Sequence, residues 1–186
     1  YFVMYVTPGP NNAMVLTSGL KFGFQKTITH ILGITFGHII QLILVCFGLG
    51  QVFILFPDVQ IVLKYICAIY ILYLGYKILG SINPIIDDGS RPLKLYEAAL
   101  FQIVNPKAWT ISSMAASGFL QINDNLGIAI LIIASTALVI CPLSITPLAM
   151  FGAAIRQIVK NKNIKKIIEY SLALFLLITA ILIVYN

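Results

Sequence analysis

With 186 residues, 60% hydrophobic and only 10% charged, the chain falls outside the soluble globular class, in which about a quarter of residues are charged. The net charge of +6 does not point to nucleic acid, because in a chain this apolar an excess of Lys and Arg serves to set membrane orientation. Cys46, Cys67 and Cys141 lie in apolar runs with neither metal-ligand spacing nor an even-numbered disulfide framework, so they read as core residues and no metal or cofactor is expected.

Charge-poor runs of about 20 residues, each long enough to cross a ~30 Å hydrocarbon layer as a helix, recur to the C-terminus, which a signal peptide does not explain. Six spans are expected, at about 1–20, 28–52, 59–80, 97–119, 126–149 and 166–185. The fold class is all-α integral membrane: one polytopic domain over 1–186, with a first repeat at 1–80, a linker at 81–96 and a second repeat at 97–186. The chain starts at Tyr1 and its first span is short, so a few residues are expected to be missing upstream.

The first span carries TPGPNN at 7–12. Pro8 and Pro10 each remove a backbone donor and clash with the preceding turn, and Gly9 adds freedom between them. Helix should resume at Pro10, a favourable first helical position, about ten residues or roughly 15 Å from Lys21. The break therefore falls near the bilayer midplane. The second span holds His38, also near the midplane, where a histidine can relay or sense a proton or simply bond a neighbouring helix. His30 lies near the end of that span that follows Lys26. Gly33 and Gly37 form a GxxxG spacing that lets helices approach closely, within one subunit or across a homodimer. In the third span Tyr70, Tyr73 and Tyr76 recur every three residues and read first as packing and interfacial anchoring. Lys64 is expected to snorkel outward.

The fourth span carries FQIVNPKAW at 101–109. Asn105 suits a helix N-cap and Pro106 the first helical position, again about ten residues in from Glu97. Spans 1 and 4 thus break at similar depth, and each heads a three-span half, so the halves must be inverted relative to each other. Paired proline-interrupted spans in corresponding positions point to a transporter binding site, because irregular backbone at depth survives only inside protein or beside a wet cavity. Two helix N-termini, each worth about half a positive charge, would meet Lys107, whose burial costs at least ~2.5–3.5 kcal/mol. Such a site wants an anion such as a carboxylate, with the amides of Asn11, Asn12 and Asn105 able to bond it or an ammonium. In the fifth span Pro142 and Pro147 are expected only to kink the helix.

Lys21, Lys26, Lys77, Arg91, Lys94, Arg156, Lys160, Lys162, Lys165 and Lys166 fall on one side of the alternating loops, whereas the opposite loops carry Asp58 and Asp124 and no Lys or Arg. The basic side is expected to be cytoplasmic, with both termini outside, in the cytoplasmic (inner) membrane, and the basic cluster at 156–166 can touch anionic membrane lipid.

TPGPNN with its following KFGF, CAIYILYLGYKI at 67–78 and ALFQIVNPKAW at 99–109 together resemble the LysE/RhtB family of amino-acid exporters along nearly the whole chain. The resemblance implies efflux of a small zwitterionic amino acid or close derivative, driven by protons as coupling ion. It maps the family's motif positions onto Thr7, Pro8, Gly9, Pro10, Asn11 and Asn12, and onto Asn105, Pro106 and Lys107. His38 stands where the family is more usually apolar, so its role as a proton-coupling candidate rests on its own chemistry. The rivals are a metal-cation or other small-solute exporter of the same fold, a channel, and an intramembrane enzyme. The spans carry no acidic or thiolate cluster, no HExxH and no Gly-x-Ser-x-Gly.

Overall fold

A computed structural model describes residues 2–7, 9–50, 55–79, 91–122, 125–158 and 162–185. The regular structure among them is all helical: α1 Phe2–Val6, α2 Pro10–Phe22, α3 Phe24–Leu44 with a π-helical continuation over Val45–Leu49, α4 Pro57–Ile78, α5 Leu95–Val104, α6 Pro106–Ile122, α7 Leu126–Ile158 and α8 Lys162–Tyr185. Pro8, most of the 81–96 linker, Asp124, Lys160 and Asn186 lie outside the described residues.

Four helices (α3 with its continuation, α4, α7 and α8) are long and apolar enough to cross a membrane. The other two hydrophobic segments are each divided where the prolines predict, into α1 and α2 and into α5 and α6. The boundaries differ from expectation in one consistent way, in that helices overrun the polar joints. The expected loop at 21–26 shrinks to Gly23, whose φ of +85° favours a residue without a Cβ. Ser18 and Thr27 hydroxyls meet at 3.0 Å across this hairpin, and Thr27 Oγ1 donates to the Gly23 carbonyl at 2.8 Å. Helix α7 continues past the expected end at 149 through Arg156. Lys, Arg and Gln are good helix formers, so a charged stretch ends a membrane span without ending the helix. With 33 residues, α7 reaches about 50 Å at ~1.5 Å per residue. Pro142 and Pro147 sit inside it without breaking it, and Ser144 Oγ donates to the Cys141 carbonyl at 2.8 Å beside them.

Packing decides how the segments assemble. Helix α2 lies mainly on α7, α3 on α5 and α7, and α4 on α8. The closest approaches are built from small residues. A Cβ on Gly19 would strike the Ala149 carbonyl of α7, and one on Gly152 of α7 would strike the Leu16 carbonyl of α2. On the other side, a Cβ on Gly37 would lie 2.5–2.9 Å from Ala99 backbone atoms, and one on Gly33 would lie 2.7 Å from Ala98 Cβ. The GxxxG spacing of Gly33 and Gly37 is therefore used inside the subunit, against α5. The sequence halves are interlaced, since α2 of the first half lies on α7 of the second and α5 of the second lies on α3 of the first. The three cysteines are buried and unbridged.

Candidate functional site

The first break opens at the end of α1. Its last carbonyls have no further helical turn to receive them, and the Asn12 amide turns back to do so, donating toward the Tyr5, Val6 and Thr7 oxygens at 3.3, 3.3 and 3.2 Å. Gly9 is fully extended (φ −176°, ψ −178°), and α2 starts on it with Pro10 in the first turn and no side-chain cap. At the second break Asn105 behaves as its sequence predicts. Its side-chain oxygen accepts from the Lys107 backbone N–H at 3.2 Å, and its carbonyl accepts from Ala108 N–H at 3.1 Å. Trp109 Nε1 donates to the Ile103 carbonyl at 2.7 Å, recovering an acceptor left over from α5.

The two breaks touch. The Lys107 ammonium donates to the Thr7 carbonyl, crossing from the second break to the first. Gly9 makes this possible, because a Cβ there would lie 2.6 Å from Lys107 Cδ. Asn11 and Gln102 bond reciprocally, Asn11 Nδ2 to Gln102 Oε1 at 2.9 Å and Gln102 Nε2 to Asn11 Oδ1 at 3.2 Å. Gln41 of α3 donates to the Gln102 carbonyl at 3.0 Å. Its Oε1 lies 3.4 Å from His38 Nδ1. An amide oxygen only accepts, so Nδ1 carries the proton and Nε2 is an acceptor. That Nε2 is buried with no hydrogen-bond partner among the described residues. His38 also stands edge-on to the Tyr5 ring at 5.3 Å.

Thr7, Gly9, Pro10, Asn11, Asn12, Asn105, Pro106 and Lys107 are thus gathered at one junction, and His38 joins them through Gln41 and Gln102. Lys107 here bonds a carbonyl freed at the first break. Gln41 and Gln102 are the residues that sequence reasoning missed. The usable signal was an amide inside an otherwise apolar run, three residues from His38 in one case and three from Asn105 in the other.

Two spaces border the junction, and a third cavity lies apart from it. A space of about 20 Å³ lies among Tyr5, Asn12, His38, Asn105, Lys107 and Cys141, room for about one water. A cavity of about 400 Å³ is lined by Gly9, Pro10, Lys64, Pro106, Lys107 and Thr179 among others. It places Lys64, expected only to snorkel, beside Lys107 and the starts of both half-helices. A third cavity, about 370 Å³, is bounded by Ser18 and Lys21 of α2, His30 of α3, Tyr70 and Tyr73 of α4, and Glu97. Tyr70 and Tyr73 therefore face a cavity, whereas Tyr76 is 76% exposed. The two larger cavities sit toward opposite ends of α4. Between them Cys67, Ala68 and Ile71 are buried against Met14, Phe101, Leu176 and Ala180, an apolar plug.

Charge is sorted along the bundle. Arg91 pairs with Glu97 through two contacts of 2.5 and 2.6 Å, and the Lys94 backbone N–H also donates to Glu97 at 2.8 Å. Lys21 and Arg91 line the same cavity, and the Arg156 guanidinium lies close enough to Gly23 that a Cβ there would come within 3.0 Å of it. The loops before α3 and α5 and the end of α7 therefore share one end.

Paired discontinuous helices inside a bundle of lipid-length apolar helices define a multi-pass membrane protein of the kind used by secondary transporters. The chain belongs to the LysE type translocator family, whose profile matches residues 2–186. It is 27% identical over 169 residues to a leucine efflux protein of an Enterobacter species, covering 87% of this chain and 80% of that protein. It is 30% identical over 135 residues to a cysteine/O-acetylserine efflux protein of Salmonella typhimurium, covering 68% of each. The Escherichia coli protein of the same name is 31% identical over 117 residues, 61% of this chain and 58% of that one. No solved structure matches the chain.

Proposed function

We propose that this chain exports a small zwitterionic amino acid or amino-acid derivative from the cytoplasm, by alternating access coupled to protons. The observation that carries the reading is the junction itself, where the two proline breaks are tied together by Lys107 and by the Asn11–Gln102 pair, next to a cavity of about 400 Å³. Pockets for small ligands run from about 300 to 1,000 Å³. The names of the efflux relatives, for leucine and for cysteine or O-acetylserine, supply the substrate class.

The bonds made at the junction suggest how binding and movement are linked. The last carbonyls of α1 carry the partial negative charge of a helix C-terminus, and they occupy the Asn12 amide and the Lys107 ammonium. A substrate carboxylate is a stronger acceptor for the same donors, and charge-assisted bonds are roughly twice as strong as neutral ones. Binding would release the end of α1 and bias the equilibrium between conformations, which a ligand can do only through such differential contacts. Thr7, Pro8, Gly9, Pro10, Asn11, Asn12, Asn105, Pro106 and Lys107 form the substrate-binding set, with Lys64 added from the cavity. The plug around Ile71 separates this cavity from the one at the basic end, as alternating access requires.

Two inverted three-helix repeats, 1–80 and 97–186, fit the exchange of partners in the bundle. Helix α2, from the first broken span, packs on the second span of the other half, and α5, from the other broken span, packs on the second span of the first half. The basic end faces the cytoplasm in this reading, at the inner membrane with its anionic lipid, and both termini face outward. A reporter active only outside the cytoplasm, fused after Asn186, is expected to be active; activity of a cytoplasm-only reporter there would overturn the orientation.

His38 is the proton-coupling candidate. Its Nε2 acceptor, on a ring that lines a water-sized space, gives a proton a place to arrive, and the Nδ1 bond to Gln41 ties the ring to the junction so that a change of charge is felt there. His38→Phe is expected to flatten the dependence of export on external pH; normal export with an unchanged pH profile would end the relay idea. A homodimer remains compatible with the exposed apolar faces of α4 and α8. The whole reading is tested by export from cells overproducing the protein, across a panel of amino acids and dipeptides. Saturable efflux of at least one amino acid is expected, and none for any member would remove it.

A further inference from the structure

The cavity of about 370 Å³ at the basic end is not part of the junction, and two residues on its wall carry buried polar atoms with no hydrogen-bond partner among the described residues. His30 is only 2% exposed, lines the cavity, and has no hydrogen-bond partner among the described residues at either ring nitrogen. Thr17, on the neighbouring wall, has a buried hydroxyl that is likewise without a partner. Burying such groups unpaired is costly, and native structures rarely leave them so unless water or a ligand completes them. The remaining wall changes character along its length. Met14, Tyr70, Leu74 and Ile78 present apolar surface, while Lys21 and the Arg91–Glu97 pair stand at the charged end.

We propose that this cavity is a separate entry station for the transported amino acid, in which Thr17 and His30 bind its carboxylate and the α4 side takes its apolar side chain. A neutral imidazole offers one N–H donor and one acceptor, and a hydroxyl offers both. The carboxylate accepts from the Thr17 hydroxyl and the His30 N–H, with the Lys21 ammonium adding charge from the cavity wall. The volume suits one small amino acid. The station lies before the plug formed by Met14, Phe101 and Ile71, so it fills first and sets the apparent affinity from the cytoplasmic side, while Lys107 acts beyond the plug.

The inference rests on the exporter reading, and the test separates the two. Uptake of L-leucine and of O-acetylserine into inverted membrane vesicles gives a KM for the cytoplasmic face. His30→Phe and Thr17→Val are each expected to raise KM about tenfold, the value of one lost hydrogen bond to a charged group, with the maximal rate within twofold. His30→Gln, which keeps a donor and an acceptor, should recover most of the loss. Thr17→Val removes a single hydroxyl without changing volume and decides the matter if His30→Phe fails to reach the membrane. Wild-type vesicles that transport neither compound nor any other amino acid overturn the exporter reading and the station with it. Active wild-type vesicles whose KM is unchanged by Thr17→Val and His30→Phe overturn the station alone.

Discussion

Lys107→Ala will abolish export while the protein still accumulates in the membrane, and Asn11→Ala will do the same. The ammonium of Lys107 lies between the two breaks, bonded to the Thr7 carbonyl and lining the cavity of about 400 Å³. If it meets the substrate carboxylate, its truncation costs on the order of 2–5 kcal/mol, or roughly thirty- to several-thousand-fold in transport at ~1.4 kcal/mol per decade. Asn11→Ala leaves Oε1 of Gln102, a side chain 1% exposed, without its donor while Nε2 keeps its bond to the Ala98 carbonyl, at a cost of ~1–3 kcal/mol, and removes one of the two ties between the breaks. Export per unit of membrane-embedded protein, measured alongside thermal stability in detergent, separates the alternatives. A lysine that serves only as a tether would lower stability and leave export per folded molecule near normal. Unimpaired export in both variants would refute the proposed site.

Gly37→Val is expected to disrupt the fold strongly. The new Cβ would meet Ala99 Cα, carbonyl oxygen and carbonyl carbon at 2.5–2.9 Å. These are backbone atoms of α5, with no flexible side chain to give way, so α3 and α5 must separate. Overpacking costs typically ~1–3 kcal/mol and occasionally more, and a contact made by backbone against backbone belongs at the top of that range. The separation would also pull Gln41 from the Gln102 carbonyl and so loosen the junction. Gly118→Ala is the matched control, since a Cβ there meets nothing within 4 Å. A markedly lower melting temperature in detergent for Gly37→Val, with Gly118→Ala unchanged or slightly higher, is the expected pair of results. Equal stability of the two would show that α3 and α5 do not pack this way.

The breaks were legible because proline chemistry is local. TPGPNN and NP state in six and two residues that a helix stops and restarts, and Asn105 caps α6 as its type predicts. Charge segregation was legible for the same reason, and Lys21, Arg91 and Arg156 do gather at one end. What sequence could not supply was which helix meets which. Hydrophobic runs mark spans without naming partners, so the close approaches at Gly19, Gly152, Gly33 and Gly37 could not be assigned. Gln41, Gln102 and His30 were missed or passed over because a lone polar residue in an apolar run says nothing of the face it occupies. Loop lengths were overestimated, since Lys and Arg mark the membrane edge and yet prolong α2 and α7.

The exchange of partners between the two halves also governs how the chain comes into being. When α2 leaves the ribosome, the helix that will receive Gly19 has not been synthesised. At about 5–20 residues per second, the wait for Gly152 is on the order of ten seconds. During that interval the insertion machinery or surrounding lipid must shelter a half-finished bundle whose Asn12, His30 and Gln41 have yet to find their native surroundings. Biogenesis, rather than final stability, is then the step at which changes to the small-residue seams would first be felt.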